Sequence, residues 1–342
     1  MVTSIREEAF SPCIAYTGTR PVEYAAVPLT MYGSGADHLE SYTSMSALLE
    51  HFYAEKNTLT RIRQKSSDLR RIVQTALERD IKKYDLQLAQ MKDTEKREKY
   101  RIYGELLNTY GYSAKPGDRS LTAVNYYTNE PVTIPLDPTL SATENAKKYF
   151  DKYGKLKRTY EALSELTCQV KEEIDHLETI STALDIALKE EDLVEIKEEL
   201  TQSGYIRRKG GTKKAKITSR PFHYLSSDGF HIYVGENNFQ NDELTFKFAT
   251  GNDWWFHAKG IPGSHVVVKT EGKELPDRTF EEAGRLAAYY SKGREQEKVE
   301  IDYVQKKQVK KPAGAKPGFV VYYTNYSLMI DSDISGIEKL SD

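Results

Sequence analysis

The chain has 342 residues, with 49 basic and 51 acidic side chains, a formal net charge of -2 and a mean hydropathy of -0.64. This length allows about two domains with buried cores, so neither disulfides nor metals are required for folding. The two cysteines, Cys13 and Cys168, exclude a disulfide framework and a CxxC zinc site, and they fit a reducing compartment. Because no apolar run is long enough to span a bilayer and no export signal is visible, we predict no membrane contact and a cytoplasmic location.

The sequence lacks the motifs of several large enzyme classes. It contains no GxxxxGK[ST], no GxGxxG after a strand, no HExxH and no GxSxG. These absences weigh against nucleotide hydrolysis, dinucleotide redox chemistry, zinc proteolysis and α/β-hydrolase chemistry. We therefore expect a protein that is not an enzyme, with no catalytic residues, no cofactor and no metal.

Residues 1–40 contain two apolar runs, Cys13–Tyr16 and Tyr24–Tyr32, which are bounded by Gly18 and Pro21. Glycine and proline borders favour strands over helices. Two strands do not form a stable sheet alone. The sequence therefore predicts that this segment is the remnant of a larger amino-terminal domain.

Residues 41–204 are predicted to form an arm of two long helices. The first extends from about Ser44 to Tyr110, and the second begins at the capping-box pattern Ser141-Ala142-Thr143-Glu144. Seam positions in both recur at steps of three and four residues, which is typical of a coiled coil, with one stutter in the first helix. The seam of the first helix is Leu59, Ile62, Ser66, Leu69, Val73, Leu77, Ile81, Tyr84, Leu88 and Met91. That of the second is Ala146, Tyr149, Tyr153, Leu156, Tyr160, Leu163, Thr167, Val170, Ile174 and Leu177.

Charge indicates how the two helices pair. Residues 55–101 carry 14 basic and 8 acidic side chains, whereas residues 161–200 carry 3 basic and 13 acidic ones. An antiparallel pairing brings the acidic end of the second helix beside the basic start of the first, so that opposite charges set the register.

The connection at 112–140 is predicted to be a β-hairpin at the tip of the arm. Leu121–Tyr127 and Val132–Pro135 have strand composition and flank the turn-forming Thr128–Pro131. Tyr126 and Tyr127 would lie at this tip, where they either contact a partner or cover the helix ends.

A basic linker is predicted at 205–220. The stretch from 207 to 227 contains seven basic residues and no acidic one, and it is rich in glycine near its centre. The basic residues are Arg207, Arg208, Lys209, Lys213, Lys214, Lys216 and Arg220. Beyond the linker, alternating strand and helix patterns predict one compact α+β module over 221–342, with a capping box at Thr279 and Glu282.

Unusual residues concentrate between Asn252 and Val266. His257 and His265 could bracket a metal, but a third ligand at a recognisable spacing is missing. Asp253, Ser264 and His265 have the residue types of a catalytic triad, without any sign of its geometry. Strand alternation predicts that Trp254 and Phe256 pack a core while Asp253, Trp255 and His257 share the opposite face. Such a face suits binding of unstacked bases.

A second patch contains five lysines within residues 306–316 and no acid. The prolines and glycines at 312–318 would hold this loop in one shape, which lowers the entropy lost on docking to phosphates. The candidate nucleic-acid contacts here are Lys306, Lys307, Lys310, Lys311 and Lys316.

The motifs Asp253–His257, Pro262–Val266 and Lys311–Gly318 resemble the carboxy-terminal RNA-binding module of the NFACT family. The segments Ser227–Gly235, Asn237-Asn238 and Asn241-Asp242 look like the opening of that module. A coiled-coil arm with a small middle domain at its tip also matches the layout of the family. The residues that carry this resemblance most specifically are Asp253, Trp255, His257, Pro262, Gly263, Ser264 and His265.

The resemblance implies a function. Proteins of this family bind the large ribosomal subunit that carries a stalled peptidyl-tRNA, and they recruit alanyl-tRNA for addition of a carboxy-terminal alanine tail. The ribosome makes the peptide bonds, which agrees with the missing enzyme motifs. Because the large amino-terminal domain of the family is absent apart from its last strands, we expect a fragment that does not complete tailing alone.

Two other functions are compatible with the sequence. An older name within the family proposes an adhesin that binds fibronectin or fibrinogen, which here would be an anchorless protein exposed on the cell surface. A purely structural coiled-coil linker is the other possibility, although it does not explain the motif-rich module that follows the arm.

Overall fold

A computed structural model describes residues 10–17, 20–29, 38–208 and 220–340. The chain forms two compact units, one made of Met1–Ala76 with Asp175–Asp342 and the other of Leu77–Ile174. The long helices contribute residues to both units, and the domain borders expected from the sequence stay a prediction. The fold class is nevertheless the predicted one, a pair of long helices with a hairpin followed by an α+β module.

The amino-terminal strands form a three-stranded antiparallel sheet. Strand β1 (Cys13–Thr17) lies between β2 (Arg20–Ala25) and β3 (His38–Ser41). Its side chains Ile14 and Tyr16 pack on Leu48 and Phe52 of the following helix. The sequence did not predict β3, and the second predicted strand is shorter than expected, with its end at 30–32 lying outside the described residues.

Three helices follow where two were predicted. They are α1 (Met45–Asp93), α2 (Arg97–Tyr110) and, after the hairpin, α3 (Ala142–Ile186). The continuous first helix is a wrong prediction, because a turn at 94–96 separates α1 from α2. At this turn Thr94 is buried and its hydroxyl donates to the Met91 carbonyl at 2.6 Å.

The seam of α1 follows the prediction at most positions. Those from Ile62 to Leu77 are buried, Tyr84 and Met91 are half-buried, and the side chain of Leu59 lies outside the described residues. Ile81 and Leu88 are wrong predictions, since each is 42% exposed while the polar residues Asp80 and Gln87 are buried in their place. A search for apolar spacing selects the apolar neighbour one residue later. The seam of α3 is as predicted, with every position buried or half-buried. Its capping box is confirmed by the bond from the Glu144 amide to Ser141 Oγ at 3.3 Å.

The charge-based pairing of the helices is confirmed in the first unit. Arg61 and Lys65 of α1 contact Glu190 at 3.0 and 2.5 Å, and Arg70 pairs with Asp185. Glu190 begins helix α4 (Glu190–Gln202). Exposed pairs of this kind contribute about 0–1 kcal/mol each, so they define register more than stability.

The second unit contains the predicted hairpin. Strands β4 (Ser120–Asn125) and β5 (Glu130–Pro135) pair along their full length. Their inward side chains Leu121 and Ile134 pack with Leu106 of α2 and Tyr149 of α3. This shared core fixes the hairpin on the helix ends.

The carboxy-terminal module is built on a seven-stranded antiparallel sheet in the order β13-β10-β8-β9-β7-β6-β14. Its helices are α5 (Asn238–Glu243), which continues as a π-helical turn at Leu244–Phe248, and α6 (Asp277–Tyr289). Its strands are β6 (Phe222–Leu225), β7 (His231–Val234), β8 (Trp254–Ala258), β9 (Val266–Val268), β10 (Val299–Gln305), β11 (Val309–Lys310), β12 (Val321–Tyr322), β13 (Tyr326–Ile330) and β14 (Glu338–Lys339).

Both faces of the central strands are covered. Helix α6 packs on one face, around Phe256 and Ile301, while the α5 region and the β11–β12 ribbon cover the other, around Trp255 and Val304. The capping box predicted at α6 is wrong, since the helix begins at Asp277. The Thr279 hydroxyl instead donates to Asp228 at 2.8 Å.

Candidate nucleic-acid interface

The lysine loop, residues 306–318, leaves the end of β10 and returns as β12. Its start is fixed by two backbone bonds, from the Lys306 amide to the Asp253 carbonyl at 2.8 Å and from the Lys307 amide to the Gly251 carbonyl at 3.1 Å. The pairing of β11 with β12 then closes the ribbon. The loop therefore stands on the same end of the sheet as the start of β8.

The five lysines of this loop differ in how freely their ammonium groups can contact a phosphate. Lys307 and Lys310 are exposed, and neither forms an ion pair with an acid in the described residues. Lys311 pairs with Asp242, and Lys306 lies 5.8 Å from the centre of the Phe246 ring. Lys316 is half-buried, and its charge acts on the buried Glu199. Lys307 and Lys310 are thus the pair best placed for a phosphate.

A hydrogen-bonded latch holds the far end of the loop. The Asp242 carboxylate accepts the Gly318 amide at 3.0 Å while it also pairs with Lys311. Gly318 has a φ of +78°, and a Cβ atom there would lie 2.4 Å from Asn238 Oδ1. Only glycine combines this left-handed conformation with the close approach of a neighbouring side chain.

Buried polar bonds connect the module to the helices before it. Asn237 Nδ2 donates to Glu195 Oε2 at 2.6 Å, and Asn238 Nδ2 donates to Glu199 Oε1 at 2.7 Å and to Thr179 Oγ1 at 2.8 Å. Burial raises the pKa of Glu199 to about 8, although the bond from Asn238 partly opposes this shift. These contacts place the lysine loop at a defined position relative to α4.

Asp253, the first residue of the Asp253–His257 motif, is buried, and its carboxylate bonds to two neighbouring loops. Its carboxylate accepts the Thr250 amide at 2.7 Å, the Thr270 amide at 3.0 Å and the Lys269 ammonium. Burial acts to raise the pKa of Asp253, but these hydrogen bonds outweigh it and hold the pKa below its usual value. Asp253 therefore remains charged and organises the loops at this end of the sheet.

Trp255 lies on the same face as His257, as predicted, but that face is not open. Trp255 is fully buried, with Tyr322 and His265 each 5.0 Å away between ring centres. The Tyr322 hydroxyl donates to Asp302 at 2.8 Å, which holds the covering strand in place. The interpretation of Trp255 as a stacking surface for bases is wrong, because the β11–β12 ribbon occupies the position that a base would take.

The two histidines of the motif are neutral structural residues. Burial lowers the pKa of His257 to about 4 and lowers that of His265 well below its usual value. His265 Nδ1 bonds to Thr245 Oγ1 at 2.8 Å, and its amide donates to Asn241 Oδ1 at 3.0 Å. Within the described ranges, three metal-binding side chains nowhere come together.

The turn between the histidines is closed by backbone contacts. The Pro262 carbonyl accepts the Lys292 amide at 2.9 Å, and the Ser264 amide donates to the Tyr290 carbonyl at 2.9 Å. A Cβ atom on Gly263 would lie 3.0 Å from that of Ser291. Ser264 is buried in this packing, and its hydroxyl makes no bond to His265 or Asp253, so a catalytic triad is not formed.

The linker residues are only partly described. Arg208 pairs with Glu198 and Arg207 is exposed, as is Arg220. Lys209, Lys213, Lys214 and Lys216 lie outside the described residues, so their contact with nucleic acid stays a prediction.

Within the second unit, Tyr126 and Tyr127 form a small cluster with two charged residues. Both hydroxyls donate to Glu105 Oε2 at 3.0 Å, and Arg101 contacts Glu105 Oε1 at 2.8 Å. The rings remain 49% and 55% exposed. The two tyrosines therefore bond to α2 through their hydroxyls while their rings are still accessible to a partner.

Two family models match consecutive parts of the chain. Residues 1–219 match the NFACT N-terminal and middle domains, and residues 220–323 match the NFACT protein RNA binding domain. The chain belongs to the NFACT family. The resemblance seen in the module motifs is thereby confirmed.

Relatives in this family extend beyond the chain. It is 38% identical over 332 residues to the Rqc2 homolog RqcH of Streptococcus pneumoniae serotype 2, covering 96% of this chain and 58% of that protein. It is 34% identical over 345 residues to the Rqc2 homolog RqcH of Bacillus subtilis, covering 99% of this chain and 59% of that protein. The chain thus spans less than two thirds of the length of these relatives.

A solved structure is similar as well. The C-terminal part of the fibronectin/fibrinogen-binding protein from Streptococcus suis superposes with a TM-score of 0.65 at 36% identity, covering 81% of this chain and 99% of that one. Across the described part of the NFACT chain, no helix has the length and apolar character needed to cross a bilayer.

The sequence did not predict the roles of several residues that build the interface. Asn238 and Asp242 entered only as part of the family resemblance. Glu199 and Asp302 carry no recognisable motif. A possible signal was the run of asparagines directly after the apolar strand at 231–234, since amides that enter a core are there to make hydrogen bonds.

Proposed function

We propose that this chain acts in ribosome quality control by binding the large ribosomal subunit that carries a stalled peptidyl-tRNA. The observation that carries the proposal is the exposed pair Lys307 and Lys310 on a latched loop, inside a module that matches an RNA binding domain. The similarity to RqcH proteins over nearly the whole chain supports the same role.

The proposed mechanism is electrostatic docking on a preorganised loop. Lysines that approach phosphates release condensed counterions, which favours binding at low salt. Because the Asp242 latch and the β11–β12 pairing already fix the loop, docking loses little conformational entropy. Bound in this way in the cytoplasm, the chain helps to recruit alanyl-tRNA for alanine tailing. It performs no chemistry itself, since the ribosome forms the peptide bonds.

The test is co-sedimentation of the chain with purified large ribosomal subunits, with and without peptidyl-tRNA, across a salt series. We expect binding that weakens with salt and strengthens with peptidyl-tRNA. The variant Lys307→Glu/Lys310→Glu should lose most of this binding. The matched control Lys197→Glu/Lys298→Glu reverses two other exposed lysines and should retain it. Equal loss in both variants, or binding that salt does not affect, would contradict the proposal.

A second candidate is binding to fibronectin or fibrinogen, which rests on the similarity to the Streptococcus suis protein of that name. It requires exposure on the cell surface. Protease treatment of intact cells, with cytosolic markers monitored in parallel, distinguishes the two: loss of the protein while the markers survive would favour the adhesin.

A further inference from the structure

An open cleft lies at the end of the sheet where β8 begins. Its volume is about 490 Å³, within the range of roughly 300–1,000 Å³ that is typical of small-ligand sites. Its walls come from the start of β8, the loop between β9 and α6, the first turn of α6 and the end of β10. It is separate from the covered face that contains Trp255.

One wall of the cleft is aromatic. Trp254 and Phe280 are half-buried side chains whose ring centres lie 4.9 Å apart at an angle of 77°. The neighbouring Trp255 points to the opposite face and is fully buried. An accessible indole beside a polar opening is the kind of surface on which unstacked bases pack.

Two amide side chains complete the cleft. Gln305 pairs directly with Trp254 across the strands, so its side chain stands on the same face, and Asn252 lies at the entrance. Neither side-chain amide bonds to another residue in the described part of the chain. Each offers one donor group and one acceptor, which is the combination that the edge of a nucleobase presents.

Charged side chains line one side of the cleft. Lys273, Glu274 and Asp277 lie there, between β9 and the first turn of α6, and all three are exposed. On the side of Asn252, the Lys307 amide bonds to the carbonyl of Gly251, and the Lys307 side chain is exposed. A nucleotide would therefore direct its phosphate to Lys307 and an exocyclic amino group to the carboxylates of Glu274 and Asp277.

We propose that this cleft binds one unstacked, amino-bearing base of an RNA strand. Trp254 packs on the base, Asn252 and Gln305 bond to its edge, and Lys307 contacts the adjacent phosphate. The inference rests on the proposed RNA binding and adds to it a contact with a base. The site is rigid before binding, because the Asp253 carboxylate fixes the backbone of both Thr250 and Thr270 beside it.

The fluorescence of the protein offers a direct test. The chain has only two tryptophans, and Trp255 is fully buried, so quenching on titration reports a base packed on Trp254. The probes are tetra-adenylate, tetra-cytidylate, tetra-uridylate, an abasic ribose-phosphate tetramer and free adenosine monophosphate. End-labelled versions of the four tetramers give affinities by anisotropy.

We expect tetra-adenylate and tetra-cytidylate to quench the fluorescence and to bind more tightly than the abasic tetramer. Asn252→Ala/Gln305→Ala should lower the affinity for tetra-adenylate about tenfold, within the range for loss of a base contact. The affinity for the abasic tetramer should change by less than about twofold. The control Asn57→Ala/Gln296→Ala removes two exposed amides elsewhere and should have no effect.

Equal affinity for the base-containing and abasic tetramers, or binding without quenching, would overturn the cleft assignment and leave RNA binding by the lysines intact. Quenching by adenosine monophosphate as strong as that by the tetramer would identify a free nucleotide as the ligand and overturn the assignment of an RNA strand. If no tetramer binds even at low salt, the cleft assignment is overturned, and the large-subunit sedimentation decides separately whether the proposed function survives.

Discussion

The carboxylate of Asp242 accepts the backbone amide of Gly318 at 3.0 Å, across 76 residues of sequence. The same carboxylate pairs with Lys311, so a single acid holds both ends of the segment 311–318. Here the acid neutralises one lysine and fixes the shape of the loop, which leaves Lys307 and Lys310 facing solvent.

The first prediction is that the lysines of the loop contribute unequally to RNA binding. Lys307→Gln/Lys310→Gln should lower the slope of log affinity against log salt by about 1.4–1.8, since each lost phosphate contact accounts for roughly 0.7–0.9. Lys311→Gln should change the slope by less than about 0.5, because Asp242 already neutralises Lys311. Anisotropy titrations with labelled tRNA over a salt series measure both slopes.

A matched control for these slopes is Lys197→Gln/Lys298→Gln, which removes two exposed charges away from the loop. If Lys311→Gln lowers the slope by as much per lysine as Lys307→Gln/Lys310→Gln does, then Lys311 leaves Asp242 to bind RNA. The prediction of unequal contributions would then be wrong.

The second prediction concerns the latch itself. Asp242→Ala should accelerate amide exchange in the segment 311–320 by about tenfold or more, since removing one partner of a partly buried hydrogen bond costs on the order of 1–3 kcal/mol. Asp242→Asn retains an acceptor for the Gly318 amide, so it should leave exchange nearly unchanged while it releases Lys311. Hydrogen exchange followed by mass spectrometry measures this segment.

The neighbouring exposed residue Glu243 supplies the control, because Glu243→Gln removes one acid and keeps the bond between the Gly318 amide and Asp242. Unchanged exchange in Asp242→Ala would show that the β11–β12 pairing alone holds the loop.

Local signals in the sequence were sufficient for α3 and the hairpin. The capping box at Ser141 and the regular spacing of α3 depend on residues within one or two turns of each other. In α1 the spacing failed at Ile81 and Leu88, since the polar neighbours Asp80 and Gln87 are buried in their place. A search for apolar spacing passes over a buried aspartate or glutamine.

The candidate site depended on contacts between residues that are distant in sequence. Alternation correctly placed Trp255 opposite Trp254, but it could not show that Tyr322 covers Trp255. As a result the sequence favoured a tryptophan that is buried: Trp255 lies in the core, while Trp254 is half-buried and borders an open cleft. Which face of a strand is covered depends on elements later in the chain, and period-two patterning carries no information about them.

The third prediction separates the two roles of the tip tyrosines. Tyr126→Phe/Tyr127→Phe removes two hydroxyls that bond to Glu105 and keeps both rings. Amide exchange in the hairpin at 120–135 should accelerate about thirtyfold, because the two hydrogen bonds to the carboxylate together contribute about 2 kcal/mol, at roughly 1 kcal/mol each. Ribosome sedimentation should be unchanged, since the exposed rings remain.

Tyr112→Phe is the control for this pair, because Tyr112 is 87% exposed and makes no side-chain hydrogen bond in the described part of the chain. Tyr126→Ser/Tyr127→Ser then removes the rings. Weaker sedimentation of the serine variant alone would assign a contact role to the rings, and equal sedimentation of all variants would leave the tyrosines a purely structural role.

The fourth prediction is that Glu199 makes the stability of the fold fall between about pH 4.5 and about pH 8. Burial raises the pKa of this carboxyl to about 8 in the folded chain, and burial together with the charge of Asp192 raises that of Glu236 to about 8. The unfolded chain releases these protons near pH 4.5, so between that pH and about 8 the folded state binds more protons than the unfolded state. The contribution of these two carboxyls to stability should therefore be complete below about pH 4.5 and decrease as pH rises through this window.

Glu199→Gln mimics the protonated carboxyl and keeps an acceptor for Asn238, so it should remove part of this dependence. At pH 8.5 we expect the variant to melt several degrees above the unmodified chain, since 1 kcal/mol corresponds to roughly 2–4 °C in a unit of this size. At pH 5.5, about one pH unit above the value at which the unfolded carboxyl ionises, the difference in melting temperature should be about a third of that at pH 8.5. Glu297→Gln changes the net charge equally at an exposed position and should show the unmodified pH profile. Scanning calorimetry from pH 5.5 to 8.5 measures all three proteins, and parallel profiles for Glu199→Gln and the unmodified chain would show that Glu199 is ionised throughout.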